Sequence, residues 1–130
     1  MKHKTGYTIN IEEKSLQNEN FREVLHTEQH SQLVVMSLLP NEDIGMEVHE
    51  IVDQFIRVEK GEAKAILNGV EHKLSEGSAV VVPAGTKHNI INTSAKNKLK
   101  LYTVYCPAHH KDKTIHKSKE DALKDVQDHI

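Results

Sequence analysis

Two side chains of different chemical type, Glu47 and His49, lie two residues apart in a stretch that we read as a β-strand. Side chains two apart in a strand project from the same face, so a carboxylate and an imidazole would converge on one point. Both groups are ligands for divalent transition metals. A third candidate, His88, follows a Pro-Ala-Gly turn at residues 83–85 that aims the next strand. His88 could therefore meet the first two groups inside a barrel.

The alternation of residues 54–59 decides whether Gln54 faces the same interior. It places Gln54, Ile56 and Val58 on one face of a strand. A turn at residues 50–53 would change the facing after His49 and let Gln54 begin the next strand, beside the first. Asp53 then points away, and it is the substitute ligand if this argument about facing fails.

Length and composition bound the class of protein. A chain of 130 residues with 37% hydrophobic and 28% charged residues predicts one soluble globular domain. The net charge of −2 argues against nucleic acid or an anionic membrane as partner. One cysteine excludes a disulfide framework and a cysteine-based zinc site. No apolar segment resembles a signal peptide or a membrane span, so we expect a cytoplasmic location.

Short strands separated by turn residues occupy most of the chain from residue 31 onward. Asn68-Gly69 between two alternating runs predicts a tight hairpin, because a type I′ turn needs positive φ at both central residues. No helix is long enough for a crossover between parallel strands. The pattern therefore predicts an all-β fold, an antiparallel sandwich or jelly-roll barrel.

The two ends of the chain differ from this middle part. We divide the chain into an N-terminal strand or arm segment (1–30), a barrel (31–107) and a C-terminal loop with a short helix packed on the barrel (108–130). Residues 11–20 are polar and are read as a short helix or a turn. Ser118 and Asp121 resemble a capping box, and apolar residues at helical spacing follow, which predicts a helix over residues 119–129.

The stretch around His88 resembles the second motif of the cupin superfamily. That motif is Gly, five residues, Pro-x-Gly, two residues, His, three residues, Asn, and every fixed position is matched, by Gly77, Pro83, Gly85, His88 and Asn92.

The first cupin motif is matched in part. His49 and Gly61 stand where it has a histidine and a glycine. Glu47 stands at its first histidine, Gln54 at its glutamate and Asn41 at its leading glycine. The chain is similar to small single-domain bacterial cupins of the kind described as RmlC-like or mannose-6-phosphate-isomerase-like.

The resemblance implies a double-stranded β-helix, or jelly roll, with one divalent metal ion inside. Carried over position by position, the ligands are Glu47, His49, Gln54 and His88. Since thiolates are absent, Fe, Mn, Zn, Ni and Co all suit this set. Gln54 supplies only a neutral amide oxygen, so the bound ion would keep a net charge of about +1 and attract an anion. Cupins commonly pair, and the resemblance implies a homodimer.

Several functions are compatible with these residues. The first is metal-dependent chemistry, dioxygenase-like or isomerase-like, on a small oxygen-rich or anionic substrate. The alternative is non-catalytic binding or sensing of a sugar or organic acid, and a third reading is an empty, plugged barrel. Glu47 is alternatively a rim carboxylate, and Gln54 an inner residue bonded to the backbone. Residues 109, 110 and 116 are histidines that we read as a solvated loop, with an acid–base role near the metal as the other interpretation.

Overall fold

Buried and exposed side chains alternate along the strands in the middle of the chain. These strands form two antiparallel sheets. The computed structural model describes residues 4–125. Its elements in chain order are α1 (Ile11–Gln17), β1 (Arg22–Thr27), β2 (Gln32–Leu38), β3 (Glu47–Val48), β4 (Asp53–Lys60), β5 (Ala63–Leu67), β6 (Val70–Leu74), β7 (Ala79–Val82), β8 (Lys87–Asn92), β9 (Leu99–Cys106), β10 (Ile115–His116) and α2 (Lys119–Lys124).

The larger sheet has the strand order β10-β1-β2-β9-β4-β7, and the smaller one has the order β3-β8-β5-β6. Apolar side chains from both sheets form one core, in which Met36, Ile56, Ile90 and Leu101 are at most 1% exposed. This arrangement confirms the predicted all-β jelly roll with a short C-terminal helix. Over residues 4–125, no helix is long and apolar enough to cross a membrane.

Strand β4 has the predicted facing. Gln54, Ile56 and Val58 are buried, whereas Asp53 and Arg57 are exposed. The expectation that β4 lies beside β3 is wrong, because β3 pairs with β8 while β4 pairs with β7 and β9. The segment between β3 and β4 crosses from the smaller sheet to the larger one. Gln54 therefore faces the interior because the chain has moved to the opposite sheet.

The hairpin between β5 and β6 forms as predicted. Asn68 has φ 48° and Gly69 has φ 83°, the positive values that a type I′ turn requires. The paired strands run from Ala63 opposite Leu74 to Leu67 opposite Val70. A local turn signal thus fixes the register of the outer half of the smaller sheet.

The larger sheet extends beyond residues 31–107. Strand β1 pairs with β2 on one side and with β10 on the other, so both segments outside that range add strands to the sheet. Helix α1 precedes β1 and is capped by Asn10, whose side chain accepts from Glu13 N. Lys100 Nζ, on buried β9, donates at 2.9 Å to the carboxylate of Glu19, which follows α1.

The C-terminal helix is shorter than predicted. Ser118 caps it as expected and accepts from Asp121 N at 3.1 Å. The helix ends at Lys124, because Asp125 leaves the helical conformation with φ −83° and ψ 85°. The prediction of a helix through Asp125 is therefore wrong, and residues 126–129 of the predicted helix lie outside the described residues.

Gly61 and Gly69 both have positive φ but differ in their surroundings. A Cβ on Gly61 (φ 104°) would lie 2.9 Å from the carbonyl oxygen of Lys98, whereas among the described residues nothing lies within 4 Å of one on Gly69. We expect Gly69→Ala to lower the free energy of unfolding by about 1–2 kcal/mol, the cost of the backbone conformation alone. Gly61→Ala should lower the free energy of unfolding by clearly more, because the added Cβ would also clash with the Lys98 carbonyl. Urea unfolding of both variants tests this, and equal losses would contradict it.

Candidate metal centre

Pairing between β3 and β8 brings the first two candidate ligands together. Glu47 and His88 are directly opposite each other in the register, so their side chains project from the same face of the sheet. His49 follows β3 on the same side. The ligand atoms of Glu47, His49 and His88 all lie within 4.8 Å of one another. Two donors on one ion are at most about 4.4 Å apart, so a small inward closure suffices for this cluster to hold one.

The turn at residues 83–85 is bound to the segment that carries His49. Gly85 N donates to the carbonyl oxygen of His49 at 2.8 Å. Ala84 N donates to the exposed carboxylate of Asp53, also at 2.8 Å. The Pro-x-Gly turn of the second motif is thereby fixed to the first motif. Asp53 is occupied in this turn and points outward, as predicted from the alternation of β4.

His88 has the tautomer that metal binding requires. Its Nδ1 lies 2.9 Å from the carbonyl oxygen of Thr86, which can only accept, so Nδ1 carries the proton. The lone pair of Nε2 is then available to a cation. In metal sites, the ring nitrogen of histidine that does not bind the metal typically donates to a carbonyl or carboxylate in this way.

Burial keeps His49 neutral. Burial first, and then the nearby charges of His109, His88 and Arg22 in that order of size, together lower the pKa of His49 from 6.5 to about 4. His49 Nε2 is buried and has no hydrogen-bond partner within residues 4–125. Its distance of 3.8 Å from Glu47 Oε1 is too long for a hydrogen bond. A neutral imidazole with an unpartnered buried nitrogen is suited to a metal ion.

Gln54 lies in the opposite sheet, facing inward as predicted. It is 4% exposed, and its Nε2 donates to Thr103 Oγ1 at 3.0 Å. Its Oε1 is buried without a hydrogen-bond partner in the described part of the chain. Gln54 is therefore bonded to a side chain rather than to the backbone. Its free oxygen has the chemistry of a weak fourth ligand.

A cavity of about 380 Å³ adjoins these residues. Its wall includes Glu47 and His49 from the cluster and His109 and His110 from the loop after β9. The rings of His49 and His109 are 4.1 Å apart between centroids. The size is that of a site for a small organic molecule.

The interpretation of residues 109, 110 and 116 as a solvated loop is wrong for two of the three histidines. His110 is 9% exposed and His116 is 3% exposed, while His109 is half-buried. The side chain of Gln32, itself 1% exposed, accepts from the backbone N–H groups of His109 and His110 at 3.1 and 2.9 Å and donates to the carbonyl of His110 at 2.7 Å. His110 Nε2 in turn lies 3.2 Å from the hydroxyl of Tyr105.

Two features of the wall were missed from the sequence. Arg22, on β1, and Lys119, at the start of α2, both line the cavity. Each stands far in sequence from the two motifs, and only the packing of the chain ends on the larger sheet brings them there. The number of histidines after β9 was the one available signal for that loop.

Asn92, the last fixed position of the second motif, has a structural role. Its side-chain nitrogen donates to the carbonyls of Leu39 and Asn97 at 3.0 and 2.9 Å, and its oxygen accepts from Ser94 N at 2.9 Å. It closes the turn between β8 and β9, away from the ligand cluster.

Comparison with known proteins agrees with this architecture. The cupin domain family matches residues 34–105. An uncharacterised protein of Acanthamoeba polyphaga mimivirus is 50% identical over 107 residues, covering 80% of this chain and 67% of that protein. The uncharacterised protein YrkC of Bacillus subtilis is 44% identical over 124 residues, covering 90% of this chain and 66% of YrkC. The chain thus spans about two thirds of the length of each of these two relatives.

A solved structure supports the same conclusion. A crystal structure of a Bacillus halodurans protein is 36% identical, with a TM-score of 0.89, and the match covers 92% of this chain and 95% of that one. Two facing antiparallel sheets with histidine and carboxylate groups turned inward define a small β-barrel with a possible internal metal site. The chain belongs to the cupin family, as the resemblance of its motifs predicts.

The low pKa of His49 predicts a pH dependence of stability. Between about pH 6.5 and pH 4 the unfolded chain binds a proton at this residue that the folded protein does not, so the free energy of unfolding falls as the pH drops through this window. His49→Gln should remove the contribution of this residue to the change of unfolding free energy with pH. Urea unfolding of chelator-treated protein measures it, with exposed His72→Gln as control. An unchanged slope in His49→Gln would refute the assignment.

Proposed function

We propose that this cupin holds one divalent metal ion at Glu47, His49 and His88, with Gln54 as a weak fourth ligand. A small oxygen-rich or anionic substrate would reach the ion from the adjoining cavity. The observation that carries the proposal is the unpartnered nitrogen of His49, buried within 4.8 Å of two further ligand groups. Burying a polar atom without a partner is costly, and a bound cation would offset that cost.

The charge of the ligand set supports an anionic substrate. Glu47 is the one charged ligand among the four, so a divalent ion would retain a net charge of about +1. Two imidazoles and one carboxylate suit Fe, Mn, Zn, Ni or Co. Such an ion supplies Lewis-acid or oxygen-activating chemistry when bound.

The loop after β9 would supply the proton transfers. The ring of His109 lies against that of His49 and also lines the cavity, so a ligand there would be within its reach. An imidazole side chain can take up or release a proton, so it can act as a general acid or base. Gln32 holds the backbone of this loop and thereby orients His109.

Non-catalytic binding of a sugar or organic acid is the second candidate. The neutral amide of Gln54, at the position where the family motif has a glutamate, favours it because it weakens the hold on a metal. Thermal unfolding with organic acids and sugars, before and after chelation, separates the two functions. Stabilisation by a ligand that survives removal of the metal would support the binding function.

Metal content tests the principal proposal directly. We expect the protein, purified without nickel resin or chelator, to carry about one ion per chain, and His88→Ala to lose most of it because one of two imidazole ligands is gone. Mass spectrometry of the metals measures both. The matched control is His72→Ala, an exposed histidine on β6. Metal content that is low in the wild type and unaltered by His88→Ala would reject the proposal.

Restoring the carboxylate at residue 54 should strengthen metal binding. Gln54→Glu adds a second negative charge to the ligand set, so we expect at least about tenfold tighter binding of Zn²⁺ or Mn²⁺ and a larger rise of the melting temperature on adding metal. Competition with a fluorescent chelator measures the affinity. Glu71→Gln changes an exposed carboxylate on β6 and should leave the affinity unchanged. Equal affinity in wild type and Gln54→Glu would show that residue 54 does not reach the ion.

A further inference from the structure

Arg22 is a buried cation without an anionic partner among residues 4–125. It is 6% exposed, and none of the ion pairs within residues 4–125 includes it. Its Nε has no hydrogen-bond partner in that part of the chain. A guanidinium is always charged, and burying it without a counter-charge is expensive. Such an arrangement calls for an anion from outside the chain.

The head of Arg22 is held in one orientation. Its Nη1 lies 3.1 Å from Nδ1 of His116, and Nε2 of His116 lies 3.0 Å from the carboxylate of Asp125. Because that carboxylate accepts, Nε2 of His116 carries the proton and Nδ1 accepts from Arg22. The guanidinium carbon also lies 5.2 Å from the centre of the Phe21 ring. Asp125 thus orients Arg22 through His116 without pairing with it directly.

Arg22 lines the same cavity as Glu47 and His49. The other permanent cation in the wall, Lys119, is paired with Asp43. The positive charge of Arg22 also reaches the metal centre, where it is the smallest of the causes, after burial, His109 and His88, that lower the pKa of His49. The wall of the cavity therefore carries both a fixed guanidinium and two of the candidate metal ligands, Glu47 and His49.

We propose that Arg22 binds a carboxylate group of the molecule that occupies this cavity. With Nη1 engaged by His116, the edge formed by Nε and Nη2 is the one that pairs side-on with the two coplanar oxygens of a carboxylate. A phosphate would need further donors, and Lys119 is already engaged. This inference rests on the proposed function for the other end of the ligand, where a second oxygen group would meet the metal. The ligand class is a small dicarboxylate or an oxygen-substituted organic acid.

Binding of short dicarboxylates tests the inference. The probes are malonate, succinate and glutarate, which span increasing distances, with neutral succinamide for comparison and inorganic phosphate as the competing anion. Calorimetry on metal-loaded protein should show binding of at least one dicarboxylate and none of succinamide. We expect Arg22→Gln to weaken it at least about tenfold, since hydrogen bonds to a charged group are lost.

Arg57→Gln is the matched control. The chain has two arginines, and Arg57 is exposed on β4, 3.0 Å from the carboxylate of Glu59. Its loss should leave dicarboxylate binding unchanged. Arg22→Lys keeps the charge but removes the two-donor edge, so it should also bind less well.

Unfolding of the ligand-free variants separates a binding role from a structural one. If Arg22 serves a ligand, Arg22→Gln removes a buried unpaired charge and leaves the stability of the ligand-free protein unchanged or higher. The rise in melting temperature on adding dicarboxylate would then disappear. A large loss of stability in Arg22→Gln, with dicarboxylate binding retained by Arg22→Lys at full strength, would overturn the inference.

Metal analysis of the same samples distinguishes this inference from the proposed function. Metal-free wild type that binds a dicarboxylate through Arg22 would sink the metal proposal and support the carboxylate site. If metal-loaded protein loses dicarboxylate binding in His88→Ala but keeps it in Arg22→Gln, the metal proposal is supported and the carboxylate site at Arg22 is refuted. No binding of any dicarboxylate at millimolar concentration, or tighter binding of inorganic phosphate, would also refute the carboxylate assignment.

Discussion

The candidate site depends on two hydrogen bonds between segments that are distant in sequence. The carbonyl of His49 and the carboxylate of Asp53 both accept from the turn at residues 83–85. His49 lies just before the chain crosses to the larger sheet. His88 lies three residues after the end of that turn. Pairing with β8 holds β3, a strand of two residues, and the link to the turn fixes His49 just beyond the end of that strand. The link therefore sets the distance between the two imidazoles.

A second constraint is the cost of the polar interior. His49 Nε2, Gln54 Oε1 and Arg22 Nε are all buried without hydrogen-bond partners in residues 4–125. Each lowers the stability of the ligand-free fold, because a desolvated polar group gains nothing in return. Proteins keep such groups where function needs them and offset the loss with a well-packed core elsewhere. Here the fully buried aliphatic core between the sheets supplies that compensation.

Local patterns predicted what depends on neighbouring residues, and they failed where distant segments meet. The alternation after Asp53 predicted that Gln54 faces inward, and Asn68-Gly69 predicted the hairpin. Strands β3 and β4 lie in different sheets because β3 pairs with β8 and β4 pairs with β9. The alternation of side chains within one strand says nothing about which strand it pairs with. Likewise, the burial of His110 depends on a hydrogen bond to Gln32, 78 residues earlier. The role of Arg22 depends on the pairing of β1 with β10.

The local charge of the cavity differs from that of the whole chain. The net charge of −2 is summed over the whole chain, and it bears only on large charged partners. In the cavity wall, the charge of Lys119 is offset by its ion pair with Asp43, and Glu47 opposes at most one of the charges on a divalent ion. Arg22 then adds a fixed positive charge in a poorly solvated wall, where screening is weak. A metal-loaded interior would therefore favour an anion with two negative groups, although the protein as a whole is slightly acidic.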